Sequence, residues 1–350
     1  MTREERRKPL GFAMIGCGRI SQVHLSVLAG EPRAKLVAVV DKDRQAAKSA
    51  GEAWGAPHFE DVREMLRQAA PDAVVICAPP NTHRALTEAA LFAGAHVLCE
   101  KPLALSVEEA EEVLLAAEKA DRVLMMCSKF RYVEDVIKAK GVIDSGILGQ
   151  IVLLENQFCS RVDMKNRWNS KRAVAGGGVL IDNGSHSADI VRYLLGPVTG
   201  ALAIPGRQWQ PLEVEDTCTM FLRCARNAMA SVDLSWSIQK EHPYYIHVYG
   251  TEGTLEVGWT GSRYRQSERL HWVPFGNGYD KLQATGSQLR NFIGTITGEA
   301  QPLITAEDAL ESVRVVESAY RSTQEGRWET VEQAAPPAPA IRTAGSIPVR

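Results

Sequence analysis

The stretch Phe12-Ala-Met-Ile-Gly16-Cys-Gly18-Arg19-Ile20-Ser21 constrains this chain more than any other. An apolar run that reads as a buried strand gives way to two glycines, and a helical pattern over 20–29 follows. Gly16 permits a tight turn, and Gly18 lets a helix N-terminus approach a pyrophosphate. Ser21 stands where the strict fingerprint has its last glycine, so helix and strand are expected to pack slightly less closely. Alone, Gly-x-Gly-x-x-Ser is only a turn; the strand before it and the helix after it favour a dinucleotide loop.

The same alternation continues. Apolar strands are predicted over 35–40, 72–77, 95–99 and 122–127, with helices over 43–55, 61–68, 83–93 and 107–121. Ser106 and Glu109 have capping-box spacing at the start of the last of these helices. Such a series predicts parallel βαβ units with ligands at the carboxyl ends of the strands. Asp41 ends the second strand, 23 positions beyond Gly18. A carboxylate there accepts both hydroxyl hydrogens of an adenosine ribose and repels a 2'-phosphate, which favours NAD. Lys42 and Arg44 keep NADP open, and the plainer role for Asp41 is to cap the next helix.

Beyond a boundary placed near 128–132 the pattern changes. A helix is expected over 133–144 and an extended segment over 150–160. The run Gly176-Gly-Gly178 precedes another helix, and strands are predicted at 198–205, 216–223, 228–235, 244–249, 254–257 and 272–273. Gly250-Thr-Glu-Gly253 suits a hairpin turn, which points to a large antiparallel or mixed sheet. Two helices close the pattern, over 282–297 and 309–322, the second introduced by the capping box Thr305-Ala-Glu-Asp308. The domains are therefore expected at 1–130 and 131–330, with a flexible Pro/Ala-rich tail at 331–350.

A formal charge of -2 argues against general nucleic-acid binding, which needs a concentrated positive surface. No secretory signal or membrane span is visible, and seven scattered cysteines, several in apolar runs, suggest a reducing cytoplasm. None has close metal-ligand spacing, and no metal is expected.

Two segments carry chemistry. Lys101, held beside Pro102 at the end of a strand, can stabilise a developing alkoxide; the plainer reading is an ion pair with Glu100. Asp182, His186 and Asp189 are spaced by four and three and can share a helix face. An imidazole there is suited to taking a hydroxyl proton, although a lone helical histidine is more often structural. The three glycines before it favour function, since they allow a ligand close to the backbone. Arg161, Lys165, Arg167, Trp168, Asn169 and Lys171 form a basic stretch able to cover a sugar or bind an anion, or simply to be a solvated loop. Glu241, His242 and Tyr244 are weaker pocket candidates.

Taken in order, Gly16-Cys-Gly-Arg-Ile-x-x-x-His24, Pro79-Pro-Asn-Thr-His83, Glu100-Lys101-Pro102, Gly176-Gly-Gly-Val-Leu-x-Asp182-x-Gly-x-His186-x-x-Asp189 and Ile304-Thr-Ala-Glu-Asp-Ala309 resemble the Gfo/Idh/MocA family of nicotinamide-dependent oxidoreductases. The resemblance spans about residues 10–325. It implies an α/β fold: a Rossmann-like N-terminal domain, then an α/β domain with a large, open, mostly antiparallel sheet used for homodimers or homotetramers. It implies hydride transfer between NAD(P) and a secondary alcohol of a sugar, sugar derivative or cyclic polyol. Carried over by motif, Lys101, Asp182 and His186 would be catalytic, with His186 the acid/base. Gly16, Gly18, Arg19, Ile20, Asp41, Ala78, Pro79, Asn81, His83, Glu100 and Lys101 would hold the dinucleotide. Lys101, Asp182 and His186 would also meet the substrate; Asn183, a departure from the family pattern, and Arg161, Arg167 and Trp168 of the basic stretch join them as candidates on their own chemistry. A sugar ketoreductase, a nucleotide-sugar oxidase that retains its cofactor and a non-catalytic dinucleotide sensor are the alternatives.

Overall fold

In the computed structural model, which describes residues 8–269 and 271–332, the first half of the chain becomes strands β1 (Leu10–Ile15), β2 (Ala34–Val40), β3 (His58–Phe59), β4 (Ala73–Ile76), β5 (His96–Cys99) and β6 (Leu124–Met126). All six are parallel, in the order β3-β2-β1-β4-β5-β6. Helices α1 (Arg19–Ala29), α2 (Arg44–Trp54), α3 (Val62–Ala69), α4 (His83–Phe92) and α5 (Val107–Ala120) connect them. Strand β3 has two residues, too few for any periodicity, and the sequence does not announce it. Strand order reverses between β1 and β4, where the loops that follow the two strands press together. Gly16 has φ +92°, and a methyl group on it would lie 2.7 Å from the Cys77 backbone, so this position takes only glycine.

Capping departs from the sequence expectation at two helices. Asp43 accepts the amides of Gln45 and Ala46 at 2.9 and 3.1 Å and starts α2. Ser106 accepts the Glu109 amide at 3.2 Å, but Glu109 reaches back to the Leu105 amide rather than closing the box on Ser106.

The second half contains α6 (Glu134–Asp144), β7 (Ile151–Cys159), α7 (Arg172–Ala175), α8 (Val179–Leu195), β8 (Val198–Pro205), β9 (Thr217–Cys224), β10 (Met229–Ser235), β11 (Tyr244–Gly250), β12 (Gly253–Gly258), β13 (Ser262–Gln266) and β14 (Val273–Gly276). Helices α9 (Lys281–Ile296) and α10 (Ala306–Glu325) and the short strand β15 (Glu329–Thr330) follow. Nine strands form one sheet in the order β14-β13-β12-β11-β7-β10-β9-β8-β15, antiparallel except for β7 and β10. The strand β13, Ser-Arg-Tyr-Arg-Gln, lacks apolar alternation, so no periodicity in the sequence marks it. Cross-strand contacts hold it: Arg263 pairs with Glu256 at 2.6 Å and stacks over Trp272, 4.2 Å from the ring centroid.

Along β9 and β10, side chains alternate between buried and partly exposed, so helices cover one face of this sheet. The last two helices also return to the first half. Phe292 of α9 meets Phe12 of β1 edge-on at 6.2 Å, and Glu317 of α10 accepts the Val107 amide at 2.8 Å. Val331 is 2% exposed and donates its amide to the Thr199 carbonyl, so packing continues past the expected start of the tail. Residues 333–350 of that tail lie outside the described residues. All seven cysteines are free thiols, and no described helix is long and apolar enough to cross a membrane.

Candidate active site

A cavity of about 600 Å³ lies at the carboxyl ends of β1, β4, β5 and β6, closed on its far side by α8 and the end of β7. Gly18, Arg19 and Ile20 form its rim at the start of α1. No side chain caps that helix, and a methyl group on Gly18 would meet nothing within 4 Å. The first amides of an eleven-residue helix therefore open on empty space, as a pyrophosphate requires. Ser21 donates its hydroxyl to the Gly18 carbonyl at 2.6 Å, using the side chain that replaces glycine to brace the loop. Asp41 accepts the Cys17 amide at 2.8 Å and the Asp43 amide at 2.9 Å. It is fixed beside the glycine loop, and Asp43 rather than Asp41 caps α2.

Strand β5 delivers Glu100 and Lys101 to the cavity floor. Glu100 meets His24 of α1 at 2.8 Å. Burial opposes the charge on Glu100, but the His24 hydrogen bond, with Lys101 and Lys129 nearby, holds its carboxyl below the usual value. Lys101 does not pair with Glu100 through its ammonium. It donates to the Asp182 carboxylate at 2.5 Å and the Asp182 carbonyl at 2.8 Å.

Helix α8 supplies the opposite wall. Its N-terminus is tied down from a distance: the Gly178 and Leu180 amides donate to the Glu215 carboxylate at 3.0 and 3.1 Å. Asp182 and His186, one turn apart, line the cavity. Among the described residues the His186 ring has no hydrogen-bond partner; it packs edge-on against Phe130 at 5.1 Å. Burial, then Lys101 and Lys129, drive its pKa well below the ordinary 6.5. Asp189, one turn further, leaves the cavity: it is fully buried, accepting from Arg131 at 2.7 Å and from the Ser128 hydroxyl.

Several expected site residues lie elsewhere. His83 is fully buried, with Nδ1 2.7 Å from the Pro102 carbonyl and Nε2 2.9 Å from that of Ala78, so it braces two loops. Ala78 lines the cavity, whereas Asn81 is exposed and, with Pro79, lies off its lining. Of the basic stretch, Trp168 and Asn169 reach the cavity; Arg161 turns to the Ser237 carbonyl at 3.3 Å, and Arg167 is not in the lining. Asn183 lines the cavity while donating to the Phe158 carbonyl at 3.3 Å. The glycine run answers to packing rather than to a ligand: a methyl on Gly177 would lie 1.9 Å from the Tyr320 hydroxyl, and one on Gly178 1.9 Å from the Glu215 carbonyl. Glu241 and His242 are exposed in the loop before β11, and Tyr244 lies outside the lining.

Lys129, Phe130, Phe158, Trp259 and Gln288 also line the cavity, and no motif in the sequence marks them. They come from the turn after β6, from β7, from the turn after β12 and from α9, and no local spacing connects these segments. His24, Glu100 and Cys127 bring possible ligand atoms within 4.8 Å of one another. Burial and Glu100 push the Cys127 thiol far up, however, and Glu100 is already taken by His24, so the trio reads as a hydrogen-bonded floor.

Residues 10–128 match the model described as "Oxidoreductase family, NAD-binding Rossmann fold", and residues 136–256 match the GFO/IDH/MocA C-terminal domain. The chain belongs to the Gfo/Idh/MocA oxidoreductase family. It is 28% identical to the D-apiose dehydrogenase of Paraburkholderia graminis, over 97% of this chain and 94% of that one. It is 32% identical to the D-glucoside 3-dehydrogenase of Escherichia coli, over 61% of each chain. The solved structure of GenD2, from gentamicin A biosynthesis, in complex with NAD superposes with a TM-score of 0.83 at 27% identity, covering 93% of this chain and 97% of GenD2. As a Gfo/Idh/MocA protein, this chain is an NAD-dependent oxidoreductase acting on the CH–OH groups of sugars or polyols.

Proposed function

We propose that His186 is the acid/base of this dehydrogenase and that Lys101 and Asp182 hold the reacting oxygen beside it. The observation that carries this is the unpartnered imidazole, open to the cavity one helical turn from the Lys101–Asp182 pair. Bound NAD supplies the hydride acceptor; Gly18, Arg19 and Ile20 would hold its pyrophosphate, and Asp41 its adenosine ribose. His186 takes the hydroxyl proton as the carbon loses hydride. Its low pKa keeps the ring neutral near pH 7, ready to accept. The Lys101 ammonium faces the oxygen as charge develops, and Asp182 sets where that ammonium points. The aromatic floor of Phe130 and Phe158, 4.9 Å apart, excludes water from the exchange.

On this reading residues 1–130 serve the dinucleotide, and 131–330 serve substrate and self-association. Asp41 sets NAD above NADP by repelling a 2'-phosphate. The face of the second sheet that no described helix covers is the surface through which copies pair.

The test is NADH formation across aldoses, inositols and their acid and phosphate forms, with wild type and His186→Ala. On a productive substrate, His186→Ala should lower kcat by about 10²- to 10⁴-fold while the NAD dissociation constant moves by less than about 3-fold. A variant that keeps its kcat but loses NAD would remove the assignment.

A further inference from the structure

The polar side chains of the cavity take partners and leave one ammonium over. Glu100 meets His24, and Asp182 takes the Lys101 ammonium. Arg19 sits at the start of α1, on the dinucleotide side. The remaining cation is Lys129, on the turn that follows β6. Among the described residues its ammonium has neither hydrogen bond nor ion pair. It rests against two aromatic faces, 5.3 Å from the Phe130 centroid and 5.7 Å from that of Tyr279. An aromatic seat steadies an ammonium without consuming its three N–H donors. Those donors remain for whatever enters the cavity.

Packing alone does not account for a lysine here. A methionine would fill the aromatic seat with no charge to desolvate. The charge is held at a cost: burial, with Lys101 and Lys281 adding repulsion, lowers the Lys129 pKa to about 8 against the attraction of Glu100 and Asp182. An oxidised nicotinamide brought to the same cavity adds positive charge and relieves none of this. Lys101 spends two of its three donors on the Asp182 carboxylate and carbonyl, which leaves one for the reacting oxygen and none for a second anion. Arg161 and Arg167 do not line the cavity.

We propose that Lys129 is the specificity residue of this site, and that the sugar or polyol it selects carries an oxyanion, a carboxylate or a phosphate, away from the carbon that is oxidised. An anionic group seated on Lys129 takes its open N–H donors and leaves the hydroxyl to Lys101, Asp182 and His186. The inference rests on reading those three residues as the reaction centre.

The experiment measures kcat/KM at saturating NAD for matched sets: D-glucose, D-glucuronate and D-glucose 6-phosphate, then D-galactose, myo-inositol and their acid or phosphate forms. Wild type should prefer one anionic form over its neutral parent by about 10- to 100-fold, the range of a charge-assisted hydrogen bond. The acid and phosphate arms decide which oxyanion it is. Lys129→Met should collapse that ratio towards one by raising KM for the anion, and Lys129→Arg should restore much of it. Lys129→Gln replaces the methionine variant if that does not fold. A neutral parent preferred by wild type, or an anion preference that survives in Lys129→Met, overturns the inference and leaves the dehydrogenase assignment standing. If no member of the panel reduces NAD, the reaction-centre reading fails instead. Thermal shifts of NAD-loaded wild type and Lys129→Met with glucose, glucuronate and glucose 6-phosphate then decide the inference separately. Stabilisation by an anion that depends on Lys129 supports it, and its absence overturns it.

Discussion

Helix α8 holds His186 over the cavity only if its middle is anchored, and the anchor is a buried ion pair. Asp189 is fully buried and Arg131 is 3% exposed. Arg131 donates to Asp189 at 2.7 Å, to Asp308 at 2.9 Å and to the Leu303 carbonyl at 3.1 Å. Arg131→Met would leave Asp189 with the Ser128 hydroxyl alone, and stranding one member of a buried pair costs about 3–5 kcal/mol. Asp189→Leu should cost about 3 kcal/mol, the low end of that range, because Asp308 still serves the guanidinium. In the double variant no uncompensated charge remains at the fully buried position. Asp308 is partly exposed and can hydrate, so the double variant should be more stable than Arg131→Met. At about 2–4 °C per kcal/mol for units of this size, Arg131→Met should lower the thermal midpoint by about 6–20 °C. Melting curves of the four proteins without cofactor make the comparison. A midpoint for Arg131→Met within about 2 °C of wild type, or a double variant that falls by the sum of the singles, would refute the reasoning.

Two further outcomes follow from the site. Burial and two lysines disfavour the protonated His186, so its neutral, proton-accepting form persists below pH 6.5 and is lost only as pH falls through the depressed pKa. The acid limb of kcat should therefore lie below pH 6.5, and a limb at or above that value would contradict the assignment. Asp41→Ala should move the ratio of NAD to NADP affinity about tenfold towards NADP, measured by titration of both; an unchanged ratio would remove Asp41 from cofactor selection.

The parts legible in sequence are those whose physics is local. Phe12 to Gly18 carries a strand, a turn and a helix start within a few residues, and Thr305 with Asp308 closes its capping box as spaced. Asp182 and His186 reach one cavity because a helix puts residues four apart on one face. The same rule misled at Asp189, since helical spacing places a residue near a face without saying what the rest of the chain packs against it. His83 stands in a motif that reads as cofactor-facing, yet two carbonyls from separate loops claim its ring. The glycines before α8 look like room for a ligand; Tyr320 and Glu215, distant in sequence, are what fill that room.

A dinucleotide loop, a Glu-Lys-Pro turn and an Asp/His helix stand in this order along the chain, and that order is enough to specify the alternating first half and the family's chemistry. Which polar side chains meet follows from packing between distant segments. Lys101 pairs with Asp182 across 81 positions, Glu100 with His24 across 76, and among the described residues no carboxylate hydrogen-bonds Lys129, which faces the cavity. The reason is physical: an ion pair depends on distance in space and on how much water remains between the charges, and neither is written into the spacing of residues along a chain.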